Sequence, residues 1–319
     1  MVGETNYKWP SINAKWKSGW KSHYKNQLSW FESIDPTIKT ELEHYASTGK
    51  TLLQMTGFDT SQYRQWEFYL STELHSFALL RSFEVESEAV RDHAFDYQSA
   101  FRAYAAARLA NMIDLNIHIR SPQRVGVQLS SMDIHLVPFA ALGMIIGDES
   151  AIPLVRMLIA AYRKGWYVRD DRHPIYTFVM LLMADFIGES IPPDTPALLG
   201  SSPFAPLLAQ WRSAQPADIV PLCLAACDFH TTRCDYYKDT EFSLGHWCYT
   251  PVEIMLLMRL RSLRGLENPG FEHPLWTSAF SGVQSGVPTL SDELIERIEQ
   301  RMRMDGFDEQ FIIQGVLGA

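Results

Sequence analysis

Apolar residues recur at three- and four-residue steps through most of this chain, the period of an amphipathic helix. From Ser61 the stripe reads Tyr63, Trp66, Leu70, Leu74 and Phe77. A second stripe begins near Ser87 and runs Val90, Ala94, Tyr97, Phe101, Tyr104 and Met112, with alanines at 105–107 that let a neighbouring helix approach closely. Together they predict an antiparallel hairpin over residues 61–120. The stretch 120–130 (RSPQRVGVQLS) loses the period and reads as a loop. Shorter, more apolar helices are expected after it, at Met132–Ile146, Ile152–Arg163 and Pro174–Ile187, the first and last of them closed by glycine. Prolines at 192, 193, 196, 203, 206 and 216 predict a loop holding one short helix that ends near Trp211. Asp218–Tyr236 is again helical. Residues 267–289 form a Gly/Pro/Ser-rich connection, Ser291 is the expected cap of an amphipathic helix, and Asp308–Leu317 is a short final one.

Residues 242–266 (FSLGHWCYTPVEIMLLMRLRSLRGL) carry a tight aromatic turn and then a helix that is apolar on nearly every face, so it must be buried on more than one side. Thr250-Pro251-Val252-Glu253 has the form of a capping box with proline at the first helical position. Arg259, Arg261 and Arg264 fall where cations suit the C-terminal end of the helix dipole, and Gly265 is the expected stop.

Period-two alternation is nearly absent, so the fold class is all-α: an N-terminal long helical hairpin followed by a multi-helix bundle of stacked short helices, with no fixed repeat. Four parts are expected: residues 1–60 as an N-terminal segment packing on the body, 61–120 as the hairpin domain, 131–288 as the main helical domain and 289–319 as C-terminal helices.

Composition narrows the function. The 319 residues are 46% hydrophobic and 20% charged, a globular balance. The net charge of −9 argues against a binder of phosphate backbones, so no nucleic-acid partner is expected, and it suits a basic protein partner. Residues 1–27 run the other way: Lys8, Lys15, Lys17, Lys21 and Lys25 stand against Glu4 alone, interleaved with Trp9, Trp16, Trp20 and Tyr24. This segment is expected to lay its tryptophans on the body. No signal-peptide core opens the chain and no run approaches the roughly 18 apolar residues of a bilayer span, so a cytoplasmic protein without membrane contact is expected.

Metal and catalytic motifs are weak. Cys223, Cys227, His230 and Cys234 share one helix face, with His246 and Cys248 in the next segment. These are zinc-type ligands, but one helix presents at most two comfortably, so reduced cysteines lining a helix contact are expected instead. The Asp170-Asp171 pair is followed three residues later by Pro174, where a diphosphate site would need another aspartate. Gly-x-Ser-x-Gly and Gly-x-Gly-x-x-Gly are missing, and no phosphate-binding Gly-Lys-Ser/Thr loop follows a strand. The expectation is therefore no enzyme, no catalytic residues, no cofactor and no metal. The alternative is a helical metal-dependent hydrolase using His230, His246 and nearby acids.

What remains is a partner surface. Glu84, Glu86, Glu88 and Asp92 gather at the expected hinge of the hairpin. Asp235, Tyr236, Asp239 and Glu241 precede the turn that holds Trp247, and Asp170 and Asp171 supply a further acidic turn. Acids beside aromatics at helix ends are the makings of a rim-and-anchor interface with a basic protein.

Leu244-Gly245-His246-Trp247-Cys248-Tyr249, followed by a buried helix, resembles the Gly-Tyr-Trp-Ser-Phe-Glu-Ala-Ala-type segment of PoNi-like immunity proteins. Ala141-Leu142-Gly143-Met144 is similar to their Leu-Gly-x-Ile/Leu segment, Asp235-Tyr236-Tyr237 also fits, and the likeness covers residues 60–280. These are all-helical antitoxins of DNase toxins from polymorphic and type VI secretion systems. The resemblance implies an immunity protein whose partner is a cognate toxin with a basic nuclease domain.

Overall fold

Glu67, Ser71 and Glu84 meet Asn116, Asp114 and Ser99 in descending order, and that register defines the largest helical hairpin of the molecule. A computed structural model describes residues 29, 32–52, 65–91, 94–120, 137–167, 173–234, 247–276, 278–281 and 290–318. Helix α1 covers residues 32–48, α2 Gln65–Arg91 and α3 Tyr97–Arg120. Asn116 donates to Glu67 at 2.9 Å, Ser71 to Asp114 at 2.5 Å and Ser99 to Glu84 at 2.8 Å, so α2 and α3 run antiparallel. The turn lies later than the stripes suggest. Helix α2 continues past Ser87 to Arg91, and Asp96 starts α3 by accepting the N–H groups of Gln98 and Ser99 at 2.9 and 3.0 Å. Glu84, Glu86 and Glu88 therefore belong to the closing turns of α2 and not to a hinge.

Helix α4 (Val137–Ile146) is buried along its whole length. It packs against α3, α5 (Ala151–Arg163), α6 (Pro174–Ile187) and α9 (Val252–Leu263), so it shares the centre with the helix expected there. Close approach to α3 depends on Gly143: a Cβ at that position would stand 2.4 Å from the Tyr104 ring. The Tyr104 hydroxyl is fixed in turn by Ser150 at 2.7 Å. A 3₁₀ turn (Thr195–Leu199), α7 (Phe204–Gln210) and α8 (Pro216–Arg233) complete the middle of the chain. A single turn, α10 (Ser278–Ser281), precedes α11 (Glu293–Met304) and α12 (Glu309–Leu317).

Buried apolar residues from Ile38 in α1 to Val316 in α12 form one contiguous cluster. Helix α1 packs on α11 and the turn after it, where Tyr45 donates to Asp305 at 3.1 Å and Glu43 pairs with Arg297 at 2.8 Å. The lysine–tryptophan portion of the N-terminal segment lies outside the described residues. The C-terminal helices dock on α3, where Arg108 pairs with Glu299 and reaches Glu309 at 3.4 Å. His273 and Trp276 pair in an isolated antiparallel bridge. No helix among the described residues is long and apolar enough to cross a membrane.

Two caps differ from expectation. Asp292, not Ser291, caps α11, accepting the Ile295 N–H at 3.1 Å. Helix α9 has no side-chain cap: Pro251 holds that position, and the Thr250 carbonyl accepts the Val252 N–H at 2.8 Å. Glu253 does not reach back because it is engaged elsewhere.

Candidate functional site

Three helices meet through polar atoms beneath the turn at Trp247–Thr250. Glu86 comes from α2, His230 from α8 and Glu253 from α9, and all three are sealed from solvent. His230 Nδ1 faces Glu253 Oε1 at 2.8 Å, while Nε2 faces the Trp247 carbonyl at 3.1 Å. Both ring nitrogens meet acceptors, so the ring donates twice, as an imidazolium paired with a carboxylate. Burial alone would favour the neutral ring. Glu253 and, further off, Glu86 outweigh it and hold the His230 pKa above its ordinary value.

Glu86 holds the other side of the turn. Its Oε1 accepts the Tyr249 N–H at 2.7 Å, and the backbone N–H groups of Trp247 and Thr250 also favour its charged form. The turn is shaped for this by Trp247, the one non-glycine among the described residues with positive φ, at 65°. A left-handed residue within a turn aims successive N–H groups at one point, as an anion nest does. That conformation is costly for a bulky side chain, and it persists because the surroundings over-determine it. The indole is buried edge-on against Phe139 of α4, with centroids 5.2 Å apart, and the Trp247 carbonyl is held by His230. Burial nonetheless dominates at Glu86 and pushes its carboxyl up to about 7.

The cysteines of α8 lie on the same helix as His230. Cys223 and Cys227 are fully buried, and burial pushes the Cys223 thiol up to about 12. Cys234, at the C-terminal end of α8, donates to the carbonyls of His230 and Cys248, both at 3.4 Å. A second polar contact lies one turn away. His273 accepts the Leu275 N–H on Nδ1 at 2.9 Å, which leaves Nε2 to donate to Asp228 at 3.4 Å. Burial raises the Asp228 carboxyl to about 6.

The expected surface residues are distributed unevenly. Glu84 is half-buried and committed to Arg81 at 2.6 Å and Ser99 at 2.8 Å. Glu88 is half-buried near the end of α2. Glu86 and Trp247, each 1% exposed, are corrected from partner contacts to internal supports of the turn, because a carboxylate among three amides and an indole against Phe139 offer nothing to a partner. Asp92, Asp170, Asp171, Asp235, Tyr236, Asp239, Glu241 and His246 lie outside the described residues. His230 is likewise corrected as a hydrolase ligand, since neither ring nitrogen is left for a metal. Among the described residues no group of three or more His, Cys, Asp and Glu side chains is placed to hold one.

The pairing of Glu253 with His230 and the seating of Glu86 were not anticipated. Glu86 had a visible signal: it stands three residues after Phe83 and three before Ala89, on the apolar side of its helix. A cavity of about 470 Å³ between α3, α11 and α12 is lined by Met112, Met302 and Phe307, with Arg108 at its edge already paired to Glu299. What the arrangement beneath the turn can do is mechanical: it locks the chain at 247–250 to three helices and excludes water. The chain matches no known family model, no curated protein and no solved structure.

Proposed function

We propose that this chain is an immunity protein, which binds a cognate toxin with a basic nuclease domain and neutralises it by stoichiometric occlusion. The observation that carries the reading is the fastening of the turn at Trp247–Thr250, the same segment that resembles PoNi-like immunity proteins. Glu86 and His230 hold that turn, and Cys234 closes α8 against the Cys248 carbonyl. The sequence between these two fixed points, residues 235–246, contains Asp235, Tyr236, Tyr237, Asp239 and Glu241. Fixing the two ends of a binding segment lowers the ordering entropy that association would otherwise cost. A nuclease carries positive charge where it holds phosphates, and an acidic, aromatic segment is a natural substitute ligand for that surface.

The test is a calorimetric titration of the purified chain with the protein encoded beside its gene, in a catalytically disabled form if that protein is a toxin. One-to-one binding, with loss of the active toxin's nuclease activity at equimolar ratio, is the expected result. Absence of binding by a folded chain would sink the reading.

A further inference from the structure

The geometry points to a reversible disulfide between Cys234 and Cys248, a modification site that clips the end of α8 to the turn at Trp247–Thr250. All four cysteines are reduced thiols. Cys223 and Cys227 sit one turn apart on α8, wholly enclosed. Cys234 and Cys248 come from different segments and converge. The Cys234 thiol reaches the Cys248 carbonyl at 3.4 Å, and the two side chains are within hydrogen-bonding reach of each other. Forming the bond asks the sulfurs to close from contact to about 2.05 Å. Cys234 is placed to make that move, since it is the residue after the last turn of α8, with φ −77° and ψ 60°, and no longer propagates the helix.

Access is graded in the required order. Cys234 is partly exposed, whereas Cys248 is buried. A small disulfide such as oxidised glutathione meets Cys234 first. The Cys234 thiolate, its proton lost to solvent, attacks one glutathione sulfur, and one glutathione leaves as a thiol. The Cys248 thiolate then attacks the Cys234 sulfur of the mixed disulfide and displaces the second glutathione. Two protein S–H bonds and one glutathione S–S bond are lost, and one protein S–S bond and two glutathione S–H bonds form. The protein is oxidised by two electrons and the oxidant is reduced by two, and the two protons end on the departing thiols. Burial holds the Cys234 thiol well above its ordinary pKa, so little thiolate is present and the exchange is slow. The bond would enclose residues 235–247 and replace two weak polar contacts with a covalent one. It does not depend on the identity of any partner.

The experiment is peptide mapping of the intact, folded wild-type chain after incubation with oxidised glutathione, acid quench and alkylation. The expected product is a linked peptide pair joining Cys234 to Cys248, two hydrogens lighter than the reduced pair, with Cys223 and Cys227 still alkylated after unfolding. Dithiothreitol should restore the reduced pair. The oxidised chain should melt at a higher temperature than the reduced one, because the link constrains the unfolded ensemble more than the native state. Cys234→Ser and Cys248→Ser should each abolish the linked pair, and Cys223→Ser should keep it. The inference is overturned if the folded wild-type chain forms no linked pair, stops at a glutathione adduct on Cys234, links a different pair, or melts lower once linked. These readouts are taken on the wild-type chain, so they stand even where a variant fails to fold.

Discussion

His230 and Glu253 face each other at 2.8 Å with neither side chain open to solvent, and between them they join the end of α8 to the start of α9. A buried pair of this kind adds little net stability over apolar replacements, but removing one partner strands the other charge. Glu253→Ala and His230→Ala should each destabilise the chain by about 3–5 kcal/mol. His230→Leu combined with Glu253→Met should cost clearly less than the two single losses together. Denaturant unfolding of the singles and the double checks this, and additive losses would mean the two groups do not act as a pair.

Stability should rise as pH falls from about 8 to about 6. Glu86 is raised to about 7 in the folded chain from an ordinary value of 4.5, so between those limits the native state binds more protons than the unfolded state. Stability therefore falls as pH rises through that window. Asp228 acts in the same sense between 3.8 and about 6. His230, raised above 6.5, contributes stability that is complete below that value and is lost as pH climbs through its folded pKa. The melting temperature should be higher near pH 6 than near pH 8. Glu86→Gln, which keeps an acceptor for the Tyr249 N–H, should flatten the slope. A melting temperature that increases with pH over this range would contradict the assignment.

Gly143→Ala should destabilise the chain by about 1–3 kcal/mol, the usual cost of overpacking a filled core. The new methyl would meet the Tyr104 ring, which is itself tied to Ser150 and cannot swing aside freely. Adding Tyr104→Leu to Gly143→Ala should recover part of the loss relative to the sum of the singles. Full additivity would show that the clash is relieved elsewhere.

Asp292→Ala should cost about 1–2 kcal/mol, since Asp292 both caps α11 and pairs with Arg102 at 2.6 Å. Ser291→Ala should be close to neutral. Thermal melts of the two variants separate them, and equal effects would return the cap to Ser291.

Helix identity was largely legible in the sequence because it rests on local period. Pro174–Ile187 ends at Gly188, whose φ of 76° is the left-handed stop that glycine permits. Turns were less legible. Ser87 looked like a start and Ser291 like a cap, whereas Asp96 and Asp292 do that work, since several polar residues near a helix end can serve and tertiary packing selects one. Residues 32–48 went unread as a helix: the buried positions Ile38, Leu42 and Tyr45 are few and their partner, α11, lies some 250 residues on. The buried network was the least legible part. Thr250 and Glu253 satisfy a local capping rule on paper, and only the arrival of α8 shows that His230 claims the carboxylate first. Glu86 looked like one acid among several until α2 was seen to point it at the turn.

The most direct test of the central claim, that the acidic segment preceding the aromatic turn in the sequence meets a basic toxin, is the association rate of Asp235→Lys/Asp239→Lys with that toxin. It is measured against wild type at low and high salt. The account predicts association at least about tenfold slower at low salt, a weaker salt dependence, and a dissociation rate and melting temperature close to wild type. An unchanged association rate with an unchanged salt dependence would remove this segment from the interface and contradict the account.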